Sequence, residues 1–179
     1  MKIGFDIGRW HWRFIIARHD GEERMHGMTN RCSDGRYVLF LDYDGHTKAE
    51  VIEEILYLQE RFGLGDCHLL RSSTQGFHVI CTQKFSLREF MQIMEHSSTD
   101  DAYKRIGFLS KRKHWTLRTS EKNGEQPAAL LTLNGVRGRE ESKAHNEILR
   151  KLYNLIISGE YEDDSEHITT AHYSIKAKP

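Results

Sequence analysis

Cysteines and long apolar segments are scarce in this chain, and each scarcity excludes a class of protein. The 179 residues include three cysteines, Cys32, Cys67 and Cys81, and no C-x-x-C pair. An odd number at wide spacing argues against a disulfide framework, and the missing C-x-x-C pairs argue against a zinc ribbon. No apolar run approaches the roughly 20 residues of a membrane-spanning helix. Because Asp6 and Arg9 also interrupt the apolar start that a signal peptide needs, we expect a cytoplasmic protein with no membrane partner.

The chain also lacks a net charge of either sign, since Lys+Arg and Asp+Glu both number 26. Global charge therefore gives no signal for a nucleic-acid-binding protein. Basic residues are nevertheless concentrated between positions 104 and 122, where Glu121 is the one acid. Aromatic residues within such a segment are typical of a nucleic-acid groove, so Arg112, Lys113 and Trp115 are predicted to contact nucleic acid. The alternative is a solvated basic hairpin without a ligand.

A short apolar run that ends in two carboxylates is the most informative stretch of the sequence. Residues 37–41 lead directly into Asp42, Tyr43, Asp44 and Gly45, which is typical of a buried strand ending at a turn. Alternate side chains of a strand share a face, so Asp42 and Asp44 are expected on the same face. Two neighbouring carboxylates repel each other, and Mg²⁺ or Mn²⁺ is the usual compensation. The alternative is a strand end whose acids face water.

The residues after this strand predict an α+β fold. Thr47 and Ser86 each precede a glutamate by three positions, and this spacing is the capping box that begins a helix. Between the two helices, residues 68–72 and 77–81 read as a hairpin, and a strand is predicted over residues 115–119. The order is βαββαβ, an RRM-like core with a four-stranded sheet and two helices on one face.

Further segments flank this core on both sides. We predict an N-terminal β-rich segment over residues 1–19, a C-terminal helix over about 140–157 and a final strand over 167–175. The length of 179 residues favours a single domain that includes all of them.

The βαββαβ order brings the acid pair close to a histidine. First and third strands are central neighbours in such a sheet, and neighbouring strands lie roughly 4.8 Å apart. His78 on the third strand is therefore expected beside Asp42 and Asp44. Carboxylates that hold two metal ions suit phosphoryl or nucleotidyl transfer, and Ser72 and Arg118 are candidate contacts to a triphosphate.

Two motifs together carry a resemblance to a known family. The first is the strand that ends in Asp42-x-Asp44, and the second is S-x-x-x-G-x-H at Ser72, Gly76 and His78. Followed by a basic strand, they span about residues 36–122. This combination resembles the archaeo-eukaryotic primase superfamily, which includes primase-polymerases of plasmids and viruses and the polymerase domain of bacterial end-joining ligases.

The resemblance implies a template-dependent nucleotidyltransferase, a DNA primase or polymerase. Its expected partners are nucleoside triphosphates, a single-stranded or primed DNA template, and other replication or repair proteins. The resemblance implies metal binding of Mg²⁺ or Mn²⁺ by Asp42 and Asp44, which are also the expected catalytic acids. It further implies nucleotide contacts from Ser72, Gly76 and His78.

The third acidic motif of that family departs from the pattern in this sequence. Where the family has an acid in the strand after the second helix, this chain has Arg118. Asp100, Asp101 and Glu121 are nearby acids, and their spacing does not identify one of them as the missing group. A non-catalytic relative that binds nucleotides or nucleic acid is therefore an open alternative.

The stretch Phe40–Gly45 also resembles the first motif of haloacid-dehalogenase-type phosphatases. In that interpretation Asp42 is a nucleophile and Asp44 a general acid. That family has a doubly wound parallel sheet, with which the predicted hairpin disagrees. A further alternative is an RNA-recognition module, which would bind nucleic acid without a metal ion.

Overall fold

A computed structural model describes residues 2–7, 10–15, 26–109, 113–122, 124–136 and 138–155, the first two ranges by backbone alone. The predicted nucleic-acid contact Arg112 and the predicted final strand over residues 167–175 lie outside these ranges. The strands of the described part are β1 Lys2–Ile7, β2 Trp10–Ile15, β3 Gly27–Thr29, β4 Tyr37–Asp44, β5 Cys67–Ser73, β6 Gly76–Phe85, β7 Thr116–Arg118 and β8 Ala128–Leu133. The helices are α1 Lys48–Phe62, α2 Leu87–His96, α3 Asp101–Leu109 and α4 Lys143–Tyr153.

The fold is α+β, as predicted, and its centre is a four-stranded antiparallel sheet in the order β4-β6-β5-β8. The apolar residues of β4 are almost completely buried, as are Cys67 and Cys81, which face each other across β5 and β6. These two cysteines are thus small core residues. None of the helices in the described ranges has the length and apolar character that a membrane span needs.

Helices α1 and α2 begin where the sequence predicts. Thr47 and Ser86 each accept a hydrogen bond from the third following residue, and both capping boxes are complete. The left-handed backbone of Gly63 ends α1, a conformation that costs glycine little. Contacts from α1 to Tyr43 and from α2 to Tyr37 place both helices on one face of the sheet, as expected.

The fourth strand of the sheet differs from the prediction. The basic strand predicted over residues 115–119 is β7, and it pairs with β3 rather than with β4. Asn30 occupies the position beside β4: its carbonyl accepts a hydrogen bond from Val38 at 2.9 Å, and its side chain accepts one from the backbone of Trp115 at 2.9 Å. Since β8 completes the sheet by pairing with β5, β4 is at the edge of the sheet and not at its centre.

Helix α3 is an element that the sequence analysis does not predict, because most of its residues fall in the basic segment that begins at position 104. Asp100 begins this helix, since its carboxylate accepts a hydrogen bond from the backbone of Ala102 at 2.9 Å. Such a cap satisfies a backbone donor that the first helical turn leaves unpaired. The predicted C-terminal helix is present as α4, whose described residues end earlier than the prediction.

The second face of the sheet carries the acid pair and is partly covered by α4. His145 of α4 packs edge-on against Phe40 of β4, with ring centroids 5.8 Å apart. Its Nε2 donates a hydrogen bond to the Thr29 carbonyl at 2.8 Å, and its Nδ1 is hydrogen-bonded to the Ser142 hydroxyl. Phe40 and Asp42 are two residues apart on one strand and share this face. The acid pair therefore lies at the end of β4, beyond the part that α4 covers.

Candidate functional site

The sheet register brings the two sequence motifs together at one end of β4 and β6. Asp42 lies directly opposite His78, and Asp44 lies directly opposite Gly76. Directly opposed residues of an antiparallel pair share a face and have close side chains. The predicted adjacency of the acid pair and the histidine is thereby confirmed, although β4 is an edge strand.

Asp42 is held in surroundings that oppose its negative charge. Burial is the largest cause that raises its pKa to about 7, followed by the charges of Asp44 and Asp100, while Arg118 and Lys122 lower it. Its side chain retains 25% exposure. A carboxyl that is close to half-ionised near neutral pH, beside further acids, is typical of a functional site rather than of a surface.

The loop between α2 and α3 is fastened to the backbone of Asp42. The Thr99 hydroxyl accepts a hydrogen bond from the Asp42 amide at 2.7 Å and donates one to the Asp42 carbonyl at 2.6 Å. The amide of Asp100 donates to the same carbonyl at 2.8 Å. These contacts place Asp100 next to the acid pair, which spacing in the sequence alone did not establish.

The absence of a side chain at Gly76 leaves a small oxygen-lined cradle. A Cβ atom built on Gly76 would lie 2.7 Å from the hydroxyl oxygens of both Ser72 and Ser73, and 2.9 Å from Asp44 Oδ1. Two hydroxyls and one carboxylate therefore converge above the glycine. Of the predicted nucleotide-binding residues, Ser72, Gly76 and His78 lie together at this end of the sheet.

His78 is a neutral imidazole beside the acid pair. It is 5% exposed, and burial, followed by the positive charge of Arg118, lowers its pKa to about 3. Its Nε2 atom lies 3.5 Å from Asp42 Oδ1, a distance that an ion pair would also show. Because burial keeps the ring uncharged near neutral pH, we interpret the contact as a polar one between a neutral ring and a carboxyl group.

Arg118 holds the backbone next to the site by hydrogen bonds to carbonyl groups. Its guanidinium donates to the backbone carbonyls of Ser72, Ser120 and Glu125, with the latter two at 2.6 and 3.1 Å. Arg118, which was predicted to contact a triphosphate, thus holds the Ser72 carbonyl next to the Gly76 cradle. Its charge acts on Asp42 and His78 from that position.

Two of the predicted nucleic-acid contacts, Trp115 and Lys113, lie in different surroundings, since the first is buried and the second is exposed. Trp115 is 1% exposed, packs against the rings of Phe90 and Phe108, and covers Gly107, so the prediction that it contacts template or nucleotide is wrong. A large apolar ring gains more by burial in the core than by exposure in a groove. Lys113 is exposed, and its ammonium group donates to the Phe108 carbonyl at 2.8 Å.

Tyr103 of α3 is a member of the site that the sequence analysis did not find. It is 7% exposed, and no described residue forms a hydrogen bond with its enclosed hydroxyl oxygen. Burial and, second, the negative charge of Asp42 raise the pKa of this hydroxyl, which therefore stays protonated. Recognising Asp100 as a helix cap would have placed Tyr103 one turn into a helix, on the side of the acids.

The donor set fits a hard divalent cation in its chemistry. Carboxylates and hydroxyls are the ligands that Mg²⁺ and Mn²⁺ prefer, and the repulsion of Asp42 by Asp44 and Asp100 is the kind that a cation removes. The cradle above Gly76 and the unpaired Tyr103 hydroxyl add oxygen atoms next to these acids. Within the described ranges, no three His, Cys, Asp or Glu side chains are gathered as the ligands of one ion.

Comparison of the chain with protein-family models, with curated proteins and with solved structures finds no match in any of the three. A function can therefore be argued only from the sequence motifs and the geometry of this site.

Proposed function

We propose that this chain is a template-dependent nucleotidyltransferase, a single-domain catalytic core of the primase-polymerase type with an RRM-like arrangement. The observation that carries the proposal is the register of β4 and β6, which pairs Asp42 with His78 and Asp44 with Gly76. Two motifs that are distant in sequence thus form one polar site. Asp100, which lies next to Asp42, is our candidate for the third acid of the family.

In this proposal Asp42 and Asp44 hold Mg²⁺ or Mn²⁺, with Asp100 beside them. The cations would supply charge neutralisation for the triphosphate and activation of the attacking hydroxyl. The hydroxyls of Ser72 and Ser73 and the neutral His78 ring are hydrogen-bonding groups for phosphate oxygens. Arg118 positions the hairpin by holding the Ser72 carbonyl, and its charge favours a polyanion nearby.

Lys122 is our candidate for a further contact to phosphate. Its positive charge lowers the pKa of Asp42, so it lies within electrostatic range of the acid pair. It is exposed, whereas Arg118 is engaged with backbone carbonyls. We place the DNA template along the basic segment of positions 104–122, which includes the exposed Lys113 and, in the sequence, Arg112.

The phosphatase interpretation loses its support from the fold. All strand pairs of the central sheet are antiparallel, whereas a haloacid-dehalogenase-type enzyme needs a doubly wound parallel sheet. The surviving alternative is a relative that binds nucleotides or nucleic acid without catalysis.

Nucleotide incorporation tests the proposal directly. The assay supplies Mn²⁺, nucleoside triphosphates, and either a primed or an unprimed DNA template, and it compares the wild type with Asp42→Ala/Asp44→Ala. Asp101→Ala is the matched control, because Asp101 neighbours the site and its side chain is 83% exposed. We expect incorporation by the wild type and the control and a loss of at least about 100-fold in the double variant, since ligand loss exceeds the effect of outer-shell changes.

The two templates separate priming from extension, because only a primase starts a new chain on the unprimed template. A wild type that binds nucleoside triphosphates or DNA but incorporates no nucleotide on either template would contradict the catalytic proposal and favour the binding relative. Incorporation that survives in the double variant would show that the acid pair is not the metal site.

A further inference from the structure

Tyr103 combines two properties that are rarely found together. Its hydroxyl oxygen is enclosed by protein, and no described residue donates to it or accepts from it. Leaving a buried hydroxyl without a partner costs more than a typical hydrogen bond gains. Such a group therefore calls for an explanation, and a hydrogen bond that forms only when the site binds its ligand is one.

The start of α3 places Tyr103 next to Asp42. Asp100 donates its amide proton to the Asp42 carbonyl at 2.8 Å, and Thr99 is bonded to both backbone groups of Asp42. Residues three positions apart on a helix lie on the same side, so Tyr103 follows Asp100 on the side that faces β4. The electrostatic influence of Asp42 on the Tyr103 hydroxyl agrees with this placement.

Two polar residues next to Asp42, Arg118 and Thr99, are already engaged. Arg118 donates to three carbonyls, and Thr99 uses its hydroxyl twice on the backbone of Asp42. Tyr103, by contrast, lies beside Asp42 with an enclosed hydroxyl group that forms no hydrogen bond within the described part of the chain.

We propose that the Tyr103 hydroxyl donates a hydrogen bond to the Asp42 carboxylate when a divalent cation binds there, and that it thereby orients this carboxylate. Tyr103 is then a positioning residue, which acts through Asp42 without touching the substrate. This inference rests on the proposed function, because it requires a cation at Asp42. Carboxylates that ligate metals usually receive such a second hydrogen bond, and its loss lowers metal affinity.

Binding of Mn²⁺ alone tests this inference without any need for activity. Free Mn²⁺ is measured by electron paramagnetic resonance in titrations of the wild type, Tyr103→Phe, Tyr37→Phe and Asp42→Asn. Tyr37 is a buried tyrosine at the far end of β4, so Tyr37→Phe is the matched control for loss of a tyrosine hydroxyl. We expect Tyr103→Phe to weaken Mn²⁺ binding about 10-fold, the lower end of outer-shell effects.

Thermal unfolding is measured alongside the titrations. We expect Tyr103→Phe to match or exceed the melting temperature of the wild type, because it removes an unpaired buried group.

Ultraviolet difference spectra provide a measurement on the wild type itself. Addition of Mn²⁺ should produce a tyrosine perturbation that Tyr37→Phe keeps and Tyr103→Phe lacks.

Equal Mn²⁺ affinity in Tyr103→Phe and the wild type would overturn the inference while leaving the proposed function intact. A wild-type spectrum without a tyrosine perturbation on Mn²⁺ binding would overturn it as well. Absence of Mn²⁺ binding to the wild type, or unchanged binding in Asp42→Asn, would overturn both the inference and the proposed metal site.

Discussion

Replacement of Asp42 by asparagine should stabilise the metal-free protein, and the gain should grow with pH. The pKa of Asp42 is about 7 in the folded chain, against an ordinary value of 3.8. A raised folded pKa means that the folded state holds the proton more tightly, so stability is full below the ordinary value and is lost as pH rises through about 7. The asparagine side chain has no charge to bury and avoids this loss.

The size of the effect follows from the linkage relation. Each pKa unit corresponds to about 1.4 kcal/mol, so ionising the partly buried Asp42 costs the folded state about 4 kcal/mol at pH 8 and about 2 kcal/mol at pH 5. The difference in unfolding free energy between Asp42→Asn and the wild type should therefore widen by about 2–3 kcal/mol between these pH values. Any constant cost of burying the amide cancels in this comparison, as do the buried histidines that both proteins share.

Urea unfolding in the presence of a chelator measures these free energies. Asp101→Asn is the control, since its side chain is 83% exposed and should show no pH-dependent gain. A difference between Asp42→Asn and the wild type that stays constant from pH 5 to pH 8 would refute the reasoning, because it would show that Asp42 is not held against its charge.

Three further predictions test the packing around the site. Gly107→Ala should destabilise the fold by about 3 kcal/mol in urea unfolding, since its Cβ would lie 1.9 Å from a Trp115 ring atom, and a neutral result would contradict the buried position of that ring. Gly76→Ala should leave stability within about 1 kcal/mol, because flexible side-chain ends surround the new methyl group, but should weaken nucleoside triphosphate binding in calorimetry; unchanged affinity would argue against the Gly76 cradle. Arg118→Lys should lower stability by about 2 kcal/mol, because an ammonium group cannot span the carbonyls of Ser72 and its neighbours, and full stability would refute a structural role for the guanidinium.

The sequence predicted those helix starts and turns that are determined by residues close together in the chain. Both capping boxes and the hairpin of β5 and β6 depend on residues within a few positions of one another. The acid pair and His78 could be placed together because strand alternation and a simple strand order sufficed. These are the parts of the fold that the spacing of apolar residues and the residue types at turns determine.

The missed features depend on contacts between distant residues. Asn30 reads as a loop residue, yet its amide group joins β4 to the chain before β7 and thereby displaces the expected fourth strand. Trp115 stands among basic residues in the sequence, but the space left by Gly107 makes it a core residue. Neither partner can be identified from spacing, because tertiary packing overrides local composition at such positions.

The hydrogen bonds at the outer edge of β4 have a consequence for association between copies of the chain. An edge strand with unpaired amides is a template on which another strand can add, and proteins avoid aggregation by blocking it. Here Asn30 forms hydrogen bonds with the backbone of Val38 near one end of the strand. Thr99 and Asp100 form hydrogen bonds with the backbone of Asp42 near the other end. The contacts that hold the acids in place thus also close this edge to intermolecular β-pairing. Substitution of Thr99 by valine would expose the edge and the acids together, so loss of solubility and loss of the site should appear in the same variant.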